Sequence, residues 1–392
     1  MFFSINSYKM LYLVCNEVYI SIFTDILEKM EGFDAPCTPK PRNKLIQGSV
    51  TPCTPKPRNN LLQRVCQPTP KGLQSPAVHI PSTPYLKKLG FGTGVSVYLY
   101  ERSPQGGRVM SPWAVKRVNL RHENTEYSAR LEAEAKVLRT LSHPHIIGYR
   151  GFEKTDAGPK NLVMEDGHRS LYDIIETRKD ELDTPFSADY IEKVIRWIAE
   201  ALDYLHTEKQ IMHGDLKSAN ILVVGEFDNI KLCDFGVTLE VNSDGRVKDS
   251  KKLYIGTDAW APMEALRRQP ITTAADIFAF GLVIFEMIAL HPPHVDKLVC
   301  DESTENLDSS VDSADESFDD SAFREALGTR PPLPDHLDLD NSYAKVLEVF
   351  FAATMEDPRL RPSARDIINI LDSENKEDSV LCVNVIEAPS AL

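Results

Sequence analysis

The residue order predicts an α+β protein of two lobes, a small antiparallel β-rich one followed by a larger helical one. Three observations predict it. Residues 95–101 and 113–119 alternate and are rich in β-formers, with Gly and Pro punctuating between them. Ile191, Val194, Ile195, Ile198, Leu202 and Leu205 recur at helical spacing on one face. Ile277, Phe280, Ile284 and Ile288 do the same within an almost wholly apolar stretch.

The intervening elements follow in order. Residues 126–141 read as a helix, and 146–152 and 161–164 as strands completing the first sheet. Beyond Ser170 helices dominate, with strands at 221–224 and 230–233 flanking a turn. A cleft is expected where the lobes meet, near residues 165–166.

With 392 residues, 42% of them apolar, the chain is long enough for one large or two ordinary domains with a real core. Its seven cysteines show no metal-ligand spacing, which fits a reducing compartment. Nine acids and no Lys or Arg between Asp301 and Asp320 carry most of the net charge of −14. That argues against binding of a nucleic-acid backbone by the folded part, and it predicts a disordered acidic insert at 301–320. Residues 1–29 are apolar but broken by Asn16, Glu17 and Asp25, without a basic start or a small-residue cleavage site. They make a poor signal peptide and a poor membrane span. An upstream extension before a second start at Met30 is the first reading, then a short amphipathic segment, then an anchor.

Residues 30–84 read as a disordered tail, rich in Pro, Ser and Thr, in which Cys37-Thr38-Pro39-Lys40-Pro41-Arg42-Asn43 returns at Cys53-Thr54-Pro55-Lys56-Pro57-Arg58-Asn59. Thr38, Thr54, Thr69, Ser75 and Thr83 each precede Pro, so the tail is either a plain leader or a target of an upstream proline-directed kinase. Residues 372–392 form a second tail. It ends Ser390-Ala391-Leu392, a hydroxyl two places before an apolar C-terminal residue, the pattern captured by PDZ domains.

The chemistry-bearing residues lie between the tails. Leu89-Gly90-Phe91-Gly92-Thr93-Gly94-Val95-Ser96-Val97 joins two predicted strands, where glycines let backbone amides close over polyphosphate. Alone it reads equally as a glycine-rich hairpin, and Val95 takes the third glycine position of G-x-G-x-x-G. A Rossmann loop is excluded because a strand follows. Trp113-Ala114-Val115-Lys116 sets an ammonium in an apolar strand, costly unless paired. Glu134 is the chosen partner and Glu132 the competitor, with a snorkelling surface lysine as the alternative. Met164 and Glu165 fall where the lobes join, where Met164 as core filler is one reading. The strongest signal is His213-Gly214-Asp215-Leu216-Lys217-Ser218-Ala219-Asn220, followed nineteen residues after Asp215 by Asp234-Phe235-Gly236.

These two motifs, in this order and at this separation, resemble the catalytic loop and metal-binding motif of eukaryotic protein kinases. The resemblance implies a bilobal kinase fold over residues 85–371, an N-lobe at 85–165 and a C-lobe at 166–371, acting with ATP and Mg2+ on protein substrates. It implies that Asp215 accepts the substrate hydroxyl proton, Lys217 steadies the transferring group, and Asn220 and Asp234 hold metal. It further assigns Met164 to the back of the adenine pocket and Glu165 to the hinge, Asp276 to bracing the catalytic loop, and Glu264, in Gly256-Thr257-Asp258-Ala259-Trp260-Ala261-Pro262-Met263-Glu264, to pairing with Arg361. Lys217 resembles serine/threonine and dual-specificity kinases. Gly214 in place of Arg, the glycine loop, the early Pro262 and the acidic insert resemble a mitogen-activated protein kinase kinase-like branch tied to mitosis. That implies a cytoplasmic protein, with the nucleus or spindle as mitotic alternatives. The rival readings are a pseudokinase scaffold, prompted by Gly214, Val95 and Pro262, and a kinase of small molecules.

Overall fold

Alternating β-formers on either side of a glycine turn can only satisfy their backbone groups by pairing, and they do so first with one another. The computed structural model describes residues 86–92, 94–104, 107–118, 125–153, 160–298 and 321–373. Strands β1 (Lys87–Gly92), β2 (Val95–Tyr100), β3 (Trp113–Val118), β4 (Tyr149–Glu153) and β5 (Asn161–Glu165) form one sheet in the order β1-β2-β3-β5-β4. Every pairing in it is antiparallel. The register sets Val97 opposite Lys116 and Ala114 opposite Met164. The proposed phosphosites Thr38, Thr54, Thr69, Ser75 and Thr83, the acidic insert, Ser390 and Leu392, and Thr93 all lie outside the described residues.

Helix α1 (Thr125–Leu138) packs against this sheet through Leu131, Ala135 and Leu138, spaced for one buried face. The helix ends at Leu138 rather than at 141. Thr140 N–H turns back to Val137 O and Leu141 N–H to Leu138 O, and Pro144 follows too closely for the helix to run on. The predicted strand at 146–152 is likewise shorter at its start. Ile146 and Ile147 are buried but bond Leu232 of the second lobe, so the segment before Tyr149 is tied across the lobes.

The second lobe is built on α2 (Leu171–Glu181), whose N-terminus is capped by Ser170 accepting from Asp173 N–H, and on α3 (Ala188–Asp203). All six periodic residues from Ile191 to Leu205 are fully buried. Each such side chain contributes about 1.5–3 kcal/mol of transfer free energy. A π-helical turn (Tyr204–Lys209) extends α3 and delivers His206 to the catalytic loop. Three hairpin strands, β6 (Arg169–Ser170), β8 (Ile221–Val224) and β9 (Asn229–Leu232), carry that loop, while β7 (Ile211–Met212) pairs with β10 (Leu239–Glu240). Short α4 (Met263–Leu266) leads to α5 (Ala274–Ala289), buried from Ala275 to Ile288. The helices α6 (Ser321–Ala326), α7 (Ala344–Ala353) and α8 (Ala364–Asp372) follow. Ser363 and Asp366 start α8 with a reciprocal cap.

Candidate active site

Lys116 lies in β3 among buried residues, so its ammonium must find counter-charge or be expelled. It finds two. Nζ donates to both Glu134 oxygens, at 2.9 and 3.1 Å, and to Asp234 Oδ1 at 2.8 Å. Glu134 sits on the inner face of α1 and is 2% exposed, whereas the Asp234 side chain keeps 41% of its surface open to solvent. The competitor Glu132 instead pairs with Lys160 at 2.5 Å. Burial would drive the Lys116 pKa down, but Asp234 and Glu134 more than offset this and raise it above the ordinary value. Burial pushes Glu134 up to about 7 against the pull of Lys116. Burial acts upward on Asp234 too, but Lys116 outweighs it and holds that carboxyl down to about 2. Asp234 also adopts φ of 65°, an uncommon conformation for a non-glycine residue that this triad holds in place.

The catalytic loop converges on Asp215. Its Oδ1 accepts from Thr257 N–H at 2.9 Å and Thr257 Oγ1 at 2.7 Å, and its Oδ2 from Asn220 Nδ2 at 3.1 Å. Lys217 Nζ lies 3.0 Å from Oδ2 and donates to Thr257 Oγ1 at 2.6 Å. Below it, Asp276 is fully buried and accepts from His213 N–H (2.8 Å), Gly214 N–H (2.9 Å) and His206 Nε2 (2.8 Å). Burial opposes ionisation of Asp276, yet the hydrogen bond and charge of His206, with His213 and Gly214, hold its pKa below the usual range. Gly214 needs no side chain here and has room for none. Its φ is 81° and a Cβ would stand 2.9 Å from the Val237 carbonyl.

The segment following Gly256 is anchored at its far end by Arg361. That guanidinium donates to both Glu264 oxygens, at 2.5 and 3.1 Å, and to the carbonyls of Met355, Ala274 and Glu356. Between the anchor and Thr257, Trp260 Nε1 donates to Glu286 Oε2 at 2.8 Å, and Ser218 Oγ donates to Glu286 Oε1 at 2.6 Å. Burial pushes the Glu286 carboxyl up to about 7, with both donors pulling the other way.

At the glycine-rich turn, Leu89 is exposed, Gly90 to Gly92 run in β1 and Gly94 turns the chain with φ of 73°. A Cβ at Gly94 would strike the Tyr127 ring at 2.6 Å. Ala114 and Met164 are buried opposite one another. Glu165 ends β5; its carboxylate is taken up by Gly148 N–H, Arg150 and Lys231, and its own N–H donates to Gly148 O at 2.8 Å. Among the described residues no group of three or more His, Cys, Asp or Glu could hold a metal unaided. Asp234 and the Asn220 amide oxygen are hard oxygens of the kind that would hold a magnesium ion if phosphates completed its shell.

A protein kinase domain model matches residues 84–370. The chain belongs to the protein kinase family. It is 46% identical over 305 residues to the lymphokine-activated killer T-cell-originated protein kinase of Homo sapiens, covering 76% of this chain and 92% of that relative. Mitogen-activated protein kinase kinase kinase 13 of Mus musculus is 35% identical over 169 residues, 42% of this chain and 16% of its own length. A probable serine/threonine-protein kinase of Dictyostelium discoideum is 29% identical over 211 residues, 53% of this chain and 19% of its own.

The kinase thus brings Lys116, Glu134 and Asp234 into one cluster and Asp215, Lys217 and Asn220 into another, linked where Cys233 N–H bonds Asn220 O. Sequence reasoning missed four groups: His206, Ser218, Lys231 and Glu286. The available signal for Glu286 was a carboxyl inside an apolar helix, which demands partners without naming them.

Proposed function

We propose that the kinase is an active, ATP-dependent serine/threonine kinase of protein substrates, in the mitogen-activated protein kinase kinase-like group. The observation that carries this reading is the convergence of four polar contacts on Asp215, with the Lys116–Glu134–Asp234 cluster already assembled in the other half of the site. When bound with Mg2+, ATP supplies the phosphoryl group, and phosphoryl transfer asks the protein chiefly for positioning and charge. Asp215 orients the substrate hydroxyl and receives its proton at a carboxylate oxygen. Lys217 and Lys116 set positive charge on the phosphate side, with Glu134 fixing Lys116. Asp234 and Asn220 offer oxygens to the metal. The departures that prompted a scaffold reading leave this machinery intact, because Val95 begins β2, Pro262 precedes α4, and Gly214 contributes its N–H to Asp276.

Purified chain with Lys116→Met or Asp234→Asn should lose roughly 10³-fold or more in phosphoryl transfer while staying folded. Near-wild-type transfer by Asp234→Asn at ordinary magnesium removes the assignment. In this reading the kinase works in the cytoplasm, at the nucleus or spindle in mitosis. Phosphate on Thr38 and Thr54 controls it, and Ser390 and Leu392 bind a PDZ-domain protein.

A further inference from the structure

The glycine-rich turn carries a departure that the reading above does not use. The third glycine position of G-x-G-x-x-G holds Val95, and a glycine stands one place earlier, at Gly94. Gly92 pairs with Val95 across the turn, and Gly94 between them is buried with φ of 73°, a conformation that glycine adopts without strain. A Cβ there would also meet Tyr127 Cδ2, Cε2 and Cγ at 2.6, 2.7 and 2.8 Å. Three adjacent ring carbons at nearly equal distances place Gly94 over the face of the ring, not at its edge. Tyr127 is half-buried in the first turn of α1, two turns before Glu134, so it shares with Leu131 and Glu134 the helix face turned to the sheet. One helix thus supports the glycine turn through Tyr127 and holds Lys116 through Glu134.

We propose that Tyr127 is a positioning residue for ATP: its ring holds the turn at Gly94 where the backbone amides of the turn meet polyphosphate, and α1 fixes that position relative to Lys116. The proposal rests on the reading of residues 89–97 as a phosphate loop. A turn held in its binding conformation beforehand has less ordering entropy to lose when the ligand arrives. The contact uses the flat ring and not the hydroxyl, because the ring carbons are what Gly94 faces. It acts on the phosphates alone. Val95 pairs with Val118 at one end of the β2–β3 ladder, whereas Ala114, which faces Met164, pairs with Leu99 toward the other.

Calorimetric titration of the full chain with a non-hydrolysable ATP analogue and Mg2+, and separately with adenosine, tests it on Tyr127→Ala, Tyr127→Phe, Gly94→Ala and Gly94→Ala/Tyr127→Ala. Tyr127→Ala is expected to bind the analogue roughly tenfold more weakly, the cost of ordering about one residue, with adenosine changed by about twofold at most. Tyr127→Phe should bind both as wild type does. Gly94→Ala drives the ring off the turn, so adding Tyr127→Ala to it should weaken the analogue no further. The KM for ATP should follow the binding constants while the KM for a protein substrate stays unchanged. If Tyr127→Ala does not fold, Tyr127→Leu, which keeps apolar volume without a flat face, must give the same split between analogue and adenosine. Wild-type binding of the analogue by Tyr127→Ala, equal losses for analogue and adenosine, a Tyr127→Phe as weak as Tyr127→Ala, or additive losses in the double variant overturn the proposal. A wild-type chain that binds the analogue no more tightly than adenosine overturns instead the phosphate-loop reading on which it rests.

Discussion

Replacing Arg361 by Leu is the perturbation whose cost the structure defines most fully. The guanidinium is wholly buried, stacks over Phe278 at 4.8 Å, and makes five hydrogen bonds, two to Glu264 and three to backbone carbonyls. Its loss strands a carboxylate that is only 5% exposed. Breaking a buried pair by removing one partner costs about 3–5 kcal/mol, with unpaired carbonyls adding to it. Set against a total stability of roughly 5–15 kcal/mol, this is a large fraction. At roughly 2–4 °C per kcal/mol for a domain of this size, Tm should fall by about 10 °C. Differential scanning calorimetry on wild type, Arg361→Leu, Glu264→Leu and the double variant provides the assay. The double variant should be less destabilised than the sum of the singles, because it leaves no unpaired charge. A Tm for Arg361→Leu within a degree or so of wild type, or additive losses, would refute the reasoning.

A pH dependence and two effects of the tails are expected as well. The folded pKa of Glu286, about 7, lies above its ordinary 4.5, so the folded state binds this proton more tightly. Its contribution to stability is whole below about 4.5 and is lost as pH rises through about 7. Glu286→Gln should therefore be more stable than wild type at pH 8, by on the order of 3 kcal/mol, and the difference should shrink toward pH 4.5 in denaturant titrations. A pH-independent difference would contradict the burial argument. For the tails, deleting Leu392 should abolish capture by PDZ domains, and Thr38→Ala/Thr54→Ala should lower activity recovered from mitotic cells. Undiminished capture by the deletion sinks the first; activity abolished by Ser243→Ala/Ser250→Ala, in the segment between Asp234 and Glu264, while the tail changes leave it intact, sinks the second.

The chemistry-bearing residues were legible in the sequence where function depends on local spacing. Asp215, Lys217 and Asn220 share one loop, so their order along the chain is nearly their order in space. The lobes were legible for the same reason, since alternation and 3.6-residue periodicity report which face of each element is buried. The pairs that span the fold were another matter. Arg361 and Glu264 are separated by 97 positions, and only resemblance to kinases pointed one at the other. The choice of Glu134 over Glu132 depended on which face of α1 meets β3, and the packing of Leu131, Ala135 and Leu138 settled it. The end of that helix, the turning of the Glu165 carboxylate to Lys231 and Arg150, and the reach of Glu286 to both Ser218 and Trp260 were decided by tertiary structure alone. A buried polar group announces in sequence that it needs partners, because leaving it unpaired is costly, but which partners it takes depends on how distant elements pack around it.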